Sequence, residues 1–210
     1  LSGLLLVTAV EAEADALRAG LTTDAVTVAA VGVGPAAVAA GTARLLALAE
    51  AEGRRYDAVI SAGIGGGFTP RAPVGATVLA TSSIAADLGA DSPAGFLSLD
   101  ELGFGRIAVP VDAGLLDTLR AALPHAVVGA VLTVSTVTGT AERERALAER
   151  HPDAVAEAME GYGVACAAAG AGLPFAELRT ISNPIGPRDR GAWRIRDAFT
   201  ALTAAAAALG

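Results

Sequence analysis

Residues 3–20 read GLLLVTAVEAEADALRAG. The first eight are an almost unbroken apolar run, and acids follow directly at Glu11 and Glu13. A strand covered on both faces requires a continuous apolar run, where a half-exposed strand would alternate. The next ten, EAEADALRAG, form a helix stopped by Gly20. No basic stretch precedes the apolar run and no small-residue cleavage site follows it, so the segment reads as a buried strand and not a secretion signal.

The same strand-then-helix rhythm runs outward along the chain. VTVAAVG (26–32) is a strand, and PAAVAAGTARLLALAEAE (35–52) is a helix with Pro35 in its first turn. DAVISAG (57–63) and the longer GATVLATSSIAAD (75–87) are strands. Residues 88–105 show no period and read as an extended loop, with Phe96 and Phe104 offering a contact region. RIAVPV (106–111) is a short extended segment and AGLLDTLRAAL (113–123) a helix. AVVGAVLTVSTV (126–137) is a long strand and AERERALAER (141–150) a charged helix. DAVAEAM (153–159) is a strand leading into a helix over 161–171. PFAELRTIS (174–182) is a further strand, and AWRIRDAFTALTAAAAAL (192–209) a closing helix. Such alternation predicts an α/β fold: a single domain over 1–210, three α/β/α layers, and a mixed but mostly parallel central sheet.

The composition narrows the function. The chain has 210 residues, 53% hydrophobic and 18% charged, as soluble globular proteins do. No apolar run reaches the roughly 20 residues that span a membrane. The net charge of −7 argues against a nucleic-acid partner. All 15 basic residues are Arg, which excludes a Schiff-base lysine and a Walker A lysine in this chain. Cys166 is the single cysteine, so no intrachain disulfide forms, a cytoplasmic setting fits, and the side chain reads as a small buried apolar group. His125 and His151 stand far apart, so no metal site is expected.

In parallel sheets, ligands sit where the strands end. That rule selects Glu11 and Glu13, the turn VGVGPA (31–36), the run SAGIGGGF (61–68), Ser135 to Thr138 with Val137, Met159 with Glu160, and Ser182 to Arg188. VGVGPA with Ala37 matches G-x-G-x-x-A, but Pro35 removes a backbone N–H that a phosphate cradle needs, so it reads as a tight turn into a helix. The glycine run is richer than a turn requires; it lets a ligand lie against Gly63, Ile64 and Gly65. Glu160 lies in AMEGYGVACAAAG (158–170), where helical spacing puts it on a face with Val164, Ala167 and Ala171. A carboxylate buried there needs a partner, either protein, with Arg179 the candidate, or ligand.

This ordered set resembles the purine nucleosidase and nucleoside phosphorylase family. TAVEAEADAL is similar to the opening A-M-E-x-E segment of the methylthioadenosine/adenosylhomocysteine nucleosidases. ISAGIGGGF with VGATVLAT is similar to their T-G-x-A-G-G and VGDIVV stretches, VAEAMEG to V-E-M-E-A, and ELRTISN to V-R-x-I-S-D. Asn183 stands where those nucleosidases carry an Asp that protonates the purine N7. An amide hydrogen-bonds but cannot deliver that proton. Phosphorylases of 6-oxopurine nucleosides have Asn there, and the tail ISNPIGPRDRGAW (181–193) resembles the futalosine hydrolases, which remove hypoxanthine from futalosine on a menaquinone pathway.

The resemblance implies a nucleoside phosphorylase-like fold, a homo-oligomer, a small-molecule nucleoside substrate and no cofactor. It implies that Glu13 is the base for water and that Glu160 accepts from the ribose 2′- and 3′-hydroxyls. Met159 packs on the sugar, and Asn183 faces the base. Glu11 is the solvent or helix-capping acid of its pair. Arg188 is a donor to O6 of the base or, with Arg190 and Arg194, a partner for a substrate carboxylate; Asp189 is an alternative acid. Phe68 and Trp193 are candidates to cover an aromatic ring.

Overall fold

The computed structural model describes residues 3–209, apart from the side chain of Arg190. The chain runs β1 (Leu4–Thr8), α1 (Glu11–Gly20), β2 (Val26–Ala30), α2 (Pro35–Ala51), β3 (Ala58–Gly67), β4 (Thr77–Ala85), β5 (Gly89–Ser92), β6 (Gly95–Ser98), β7 (Ala108–Pro110), α3 (Ala113–Ala122), β8 (Val127–Thr133), α4 (Ala141–Arg150), β9 (Ala154–Ala158), α5 (Gly161–Gly170), β10 (Phe175–Pro184), a 3₁₀ turn (Arg190–Ala192) and α6 (Ile195–Ala207).

β1 explains the layering. All five of its residues are buried. Leu4 and Leu6 pack against α1, α3 and α6 through Leu17, Leu119 and Leu202. Leu5 and Val7 pack the other way, against α2 and α5 through Val38, Leu46 and Val164. Side chains of a strand alternate between faces, so an unbroken apolar run supplies both helix layers at once. The result is the expected α/β/α arrangement. β1 pairs in parallel with β2 and β3, β3 with β10, β4 with β8, and β8 with β9. Antiparallel pairs join β10 to β4, β3 to β9 and β4 to β7, so the sheet is mixed and mostly parallel.

The structure corrects five expectations. Residues 88–105 hold a hairpin, β5 paired with β6, whose four-residue strands are too short and too exposed to show a period. β3 does not end at 63; the glycine run continues as strand to Gly67 because β10 and β9 take its backbone groups. The strand at 126–137 stops at Thr133, and the closing helix starts at Ile195. Cys166 is exposed, because α5 buries its other face through Val164, Ala165 and Ala168. Among the described residues no helix is long and apolar enough to cross a membrane.

Candidate active site

The ends of β1, β3, β9 and β10 surround a cavity of about 270 Å³, which contains Glu13, Ile64, Gly65, Val137, Met159, Glu160, Asn183 and Arg188 in its lining. Three polar side chains from distant segments, Glu13, Glu160 and Asn183, therefore share one cleft.

Glu13 sits in the first turn of α1. Its Oε2 accepts from the backbone N–H of Ala9 at 3.0 Å and of Val10 at 3.3 Å. Its Oε1 accepts from the N–H of Ile64 at 2.9 Å, tying the helix to the glycine run. Burial raises its pKa above the ordinary 4.5, while the Ile64 bond and the charge of Arg179 pull it back. A carboxylate with a raised pKa at a cleft wall suits proton abstraction near neutral pH. Glu11, by contrast, is exposed and pairs with Arg18 at 3.0 Å.

Gly63 does not line the cleft; it makes room behind it. A Cβ there would lie 2.5 Å from Glu13 Oε1 and 2.9 Å from a terminal nitrogen of Arg179.

Glu160 stands just beyond the end of β9, after Met159, and is the N-cap residue of α5. Its Oε1 accepts from Gly34 N–H at 3.3 Å, so the VGVGPA turn reaches the site. Its Oε2 accepts from Met159 N–H at 3.2 Å and from Arg179 at 3.3 Å. The protein partner and the cleft are thus both real for this carboxylate. All three bonds lie at the long end of the N–H···O range, and such contacts tighten or exchange when a ligand arrives.

Arg179 is 1% exposed and is held more closely elsewhere. Its Nε donates to Glu177 at 2.9 Å and a terminal nitrogen to Ser61 Oγ at 2.8 Å. Burial alone would lower its pKa; the carboxylates of Glu177, Glu160 and Glu13 overcome that and raise it. Its charge is therefore neutralised by acids.

Asn183 donates from Nδ2 to the Pro184 carbonyl at 2.9 Å and accepts from Ser182 at 2.8 Å. Arg188 is exposed at the rim, its guanidinium 5.6 Å from the Trp193 ring centre, and Trp193 and Asp189 line the same wall. Arg194 turns to its own backbone, donating to Gly191 O at 3.0 Å. The Arg190 side chain lies outside the described residues.

Phe68 is a correction. It is 2% exposed and packs in a core cluster with Ile84, Leu132 and Ile185, away from the cleft. Continuing β3 through Gly67 turns the next side chain inward, and Phe68 N–H bonds Val155 O at 3.0 Å. Arg71 is also off the cleft, donating to Ala154 O at 2.7 Å.

Glu157 has no counterpart in the sequence reading. It lines the cavity from within β9, with Oε1 accepting from Thr138 N–H at 2.8 Å and Oε2 from Thr138 Oγ1 at 2.5 Å. Burial raises its pKa, against the lowering by the two Thr138 donors. The only signal in the sequence is a carboxylate inside a strand otherwise apolar, VAEAM.

The chain belongs to the phosphorylase superfamily, whose family model matches residues 8–209. Within that superfamily it groups with the futalosine hydrolases. It is 51% identical to the futalosine hydrolase of Streptomyces coelicolor, over 95% of this chain and 92% of the relative. It is 45% identical to the futalosine hydrolase of Acidothermus cellulolyticus, over 98% and 89%. The fold matches the native structure of futalosine hydrolase from Helicobacter pylori with a TM-score of 0.80 at 17% identity, over 99% of this chain and 95% of that one. It also matches a methylthioadenosine/adenosylhomocysteine nucleosidase from Colwellia psychrerythraea, in complex with adenine, with a TM-score of 0.79 at 21% identity, over 98% and 92%.

Proposed function

We propose that this chain hydrolyses the N-glycosidic bond of futalosine, giving hypoxanthine and dehypoxanthinyl futalosine in menaquinone biosynthesis. The observation that carries the reading is the 51% identity to the Streptomyces coelicolor relative over nearly the whole chain. The geometry supports roles for individual residues. Breaking an N-glycosidic bond builds positive charge on the sugar, as in glycoside hydrolysis. Glu13 takes a proton from water, whose oxygen bonds to the anomeric carbon as the carbon–nitrogen bond breaks. The electron pair of that bond leaves with the purine, which gains a proton to become hypoxanthine. Glu160 accepts from the vicinal ribose hydroxyls, and its negative charge favours the cationic sugar. The Met159 side chain packs on the sugar. Asn183 donates to the base. Arg188, the arginine at the rim, pairs with the carboxylate of the aryl tail over Trp193.

Water is favoured over phosphate as nucleophile. Beside the glycine run stands Arg179, and its charge is committed to Glu177 and Glu160. The test is chromatographic assay of free base from futalosine, inosine and methylthioadenosine in phosphate-free buffer. Hypoxanthine from futalosine at the highest kcat/KM is expected. Turnover that waits for added phosphate would make the enzyme a phosphorylase instead, and faster adenine release from methylthioadenosine would change the substrate.

Gly63→Ala gives a second expectation in the same assay. Its Cβ cannot sit 2.5 Å from Glu13 Oε1, so the base must move. A displacement near 1 Å costs roughly 100-fold in kcat. A variant as active as the parent would separate Glu13 from the chemistry.

The same reading takes residues 1–210 as one domain of a cytoplasmic homo-oligomer. Phe104, 80% exposed beyond the β5–β6 hairpin, is available for a contact between copies, whereas Phe96 is covered by the Arg150 guanidinium at 4.4 Å.

A further inference from the structure

Glu177 and Arg179 stand two residues apart on β10, so both project to one face of the sheet, with Glu177 about 7 Å deeper than Arg179 from the strand end that opens on the cleft. In the neighbouring strand β3, Ser61 stands opposite Glu177 and Gly63 opposite Arg179. The Glu177 side chain is 0% exposed, and neither it nor Arg179 is part of the cavity lining. A buried ion pair is weak evidence for stability, because apolar side chains of the same volume often serve a fold as well. The geometry gives this pair a different task.

A guanidinium is a rigid plane with its donors in fixed directions. Glu177 accepts from Nε at 2.9 Å and Ser61 Oγ from Nη2 at 2.8 Å. Both bonds come from residues deeper in the sheet, and together they set the plane. Nη1 is left facing forward, where it meets Glu160 Oε2 only at 3.3 Å. The position of a Cβ on Gly63 is 2.9 Å from Nη1 and 2.5 Å from Glu13 Oε1, so Nη1 also borders the second carboxylate of the cleft. The guanidinium is held closely from behind and loosely in front.

Charge works in the same direction. A cleft that forms a cationic sugar is weakened by an uncompensated cation behind it. Glu177 compensates Arg179 from the side away from the ligand. Its carboxylate abuts Gly161, the first residue of α5, where a Cβ would collide with both oxygens. The positive end of that helix favours a negative charge there. The groups that face the pair are Glu13 of α1, Ser61 of β3, Ser83 of β4 and Glu160 at the head of α5.

We propose that Glu177 is a positioning residue of the hydrolysis: it holds the Arg179 guanidinium back from Glu13 and Glu160 and cancels its charge, leaving Glu13 to the water and Glu160 to the sugar. The assignment rests on the reading of the cleft as a nucleoside hydrolase site and deepens it.

The test is the pH profile of kcat/KM, with kcat, for hypoxanthine release from futalosine by the parent, Glu177→Gln and Glu177→Asp. Gln fills the same space and still accepts from Nε, so it removes the charge alone. The charge of Arg179 then falls on Glu160 and Glu13. The Glu13 pKa drops, and the acid limb is expected to move down by about one pH unit, with kcat at neutral pH roughly 10-fold lower. Asp keeps the charge but withdraws it by one methylene, so the limb is expected to move less, again with a fall in kcat. A folded Glu177→Gln whose acid limb stays at the parental pH overturns the proposal whatever its kcat, because a purely structural loss lowers the rate without moving a pKa. Should that variant not fold, Glu177→Asp decides, and a folded Asp enzyme with the parental profile and kcat overturns it. The two readings fail separately: a parent that releases no hypoxanthine removes the hydrolase reading and this one with it, whereas an active parent whose Glu177 variants keep its acid limb removes the Glu177 assignment alone.

Discussion

Glu13→Gln lowers kcat for hypoxanthine release by about 10²–10⁴-fold, the usual contribution of a positioned general base, and changes KM far less. The amide keeps the size of the side chain but cannot take a proton from water. The pH dependence carries the same signature. Burial raises the Glu13 pKa, so the acid limb of the parent's kcat/KM profile falls above the ordinary carboxylate value of 4.5, and activity is lost as pH drops through the folded pKa. Stability moves the other way. A raised carboxylate pKa means the Glu13 contribution to folding is complete below the unfolded value and drains away as pH rises through the folded one. Activity and stability are therefore opposed over one pH window at this residue. A Glu13→Gln enzyme with parental kcat, or with the acid limb unmoved, would assign the base elsewhere.

Arg179→Met destabilises the protein by about 3–5 kcal/mol at neutral pH, the usual consequence of stranding a buried carboxylate. Here the stranded groups are Glu177, fully enclosed and bonded to Arg179 Nε at 2.9 Å, and Glu160 at 3.3 Å. Burial raises the Glu177 pKa and the Arg179 charge opposes that rise, so removing the guanidinium raises it further. Protonation then relieves the site. The stability gap between parent and variant is widest above the raised pKa and narrows on acidification toward the ordinary carboxylate value. Urea unfolding at pH 7 and pH 5 checks this. A loss under about 1 kcal/mol at pH 7, or a gap that widens in acid, would show that Arg179 does not neutralise the cluster.

The strand and helix rhythm was legible because a doubly covered strand such as β1 needs an unbroken apolar run, and helices need their caps and periods. Glu13 and Glu160 stood out for a related reason: a carboxylate beside apolar sequence at a strand end demands a partner. Arg179 was named as one possible partner, but its three-way clasp on Glu177, Glu160 and Ser61 depends on strands far apart in sequence. Glu157 stayed hidden because it lies inside its strand, where only the register with Gly66 decides which face the side chain takes. The register also decided Phe68. Reading the glycine run as a strand end sent that ring to the ligand; as continuing strand, it sends the ring to the core. The β5–β6 hairpin was illegible because eight residues in two short, exposed strands carry too little burial to leave a pattern.

Gly65 and Gly66 form the floor of the cleft, with their main chain paired to β10, and they carry no rotors. A planar group settling there freezes nothing that was moving, so the floor contributes contact without an entropic penalty. Whatever ordering accompanies docking falls on the rim, on the long, exposed Arg188 and its neighbours, and it is there that warming should loosen the complex first.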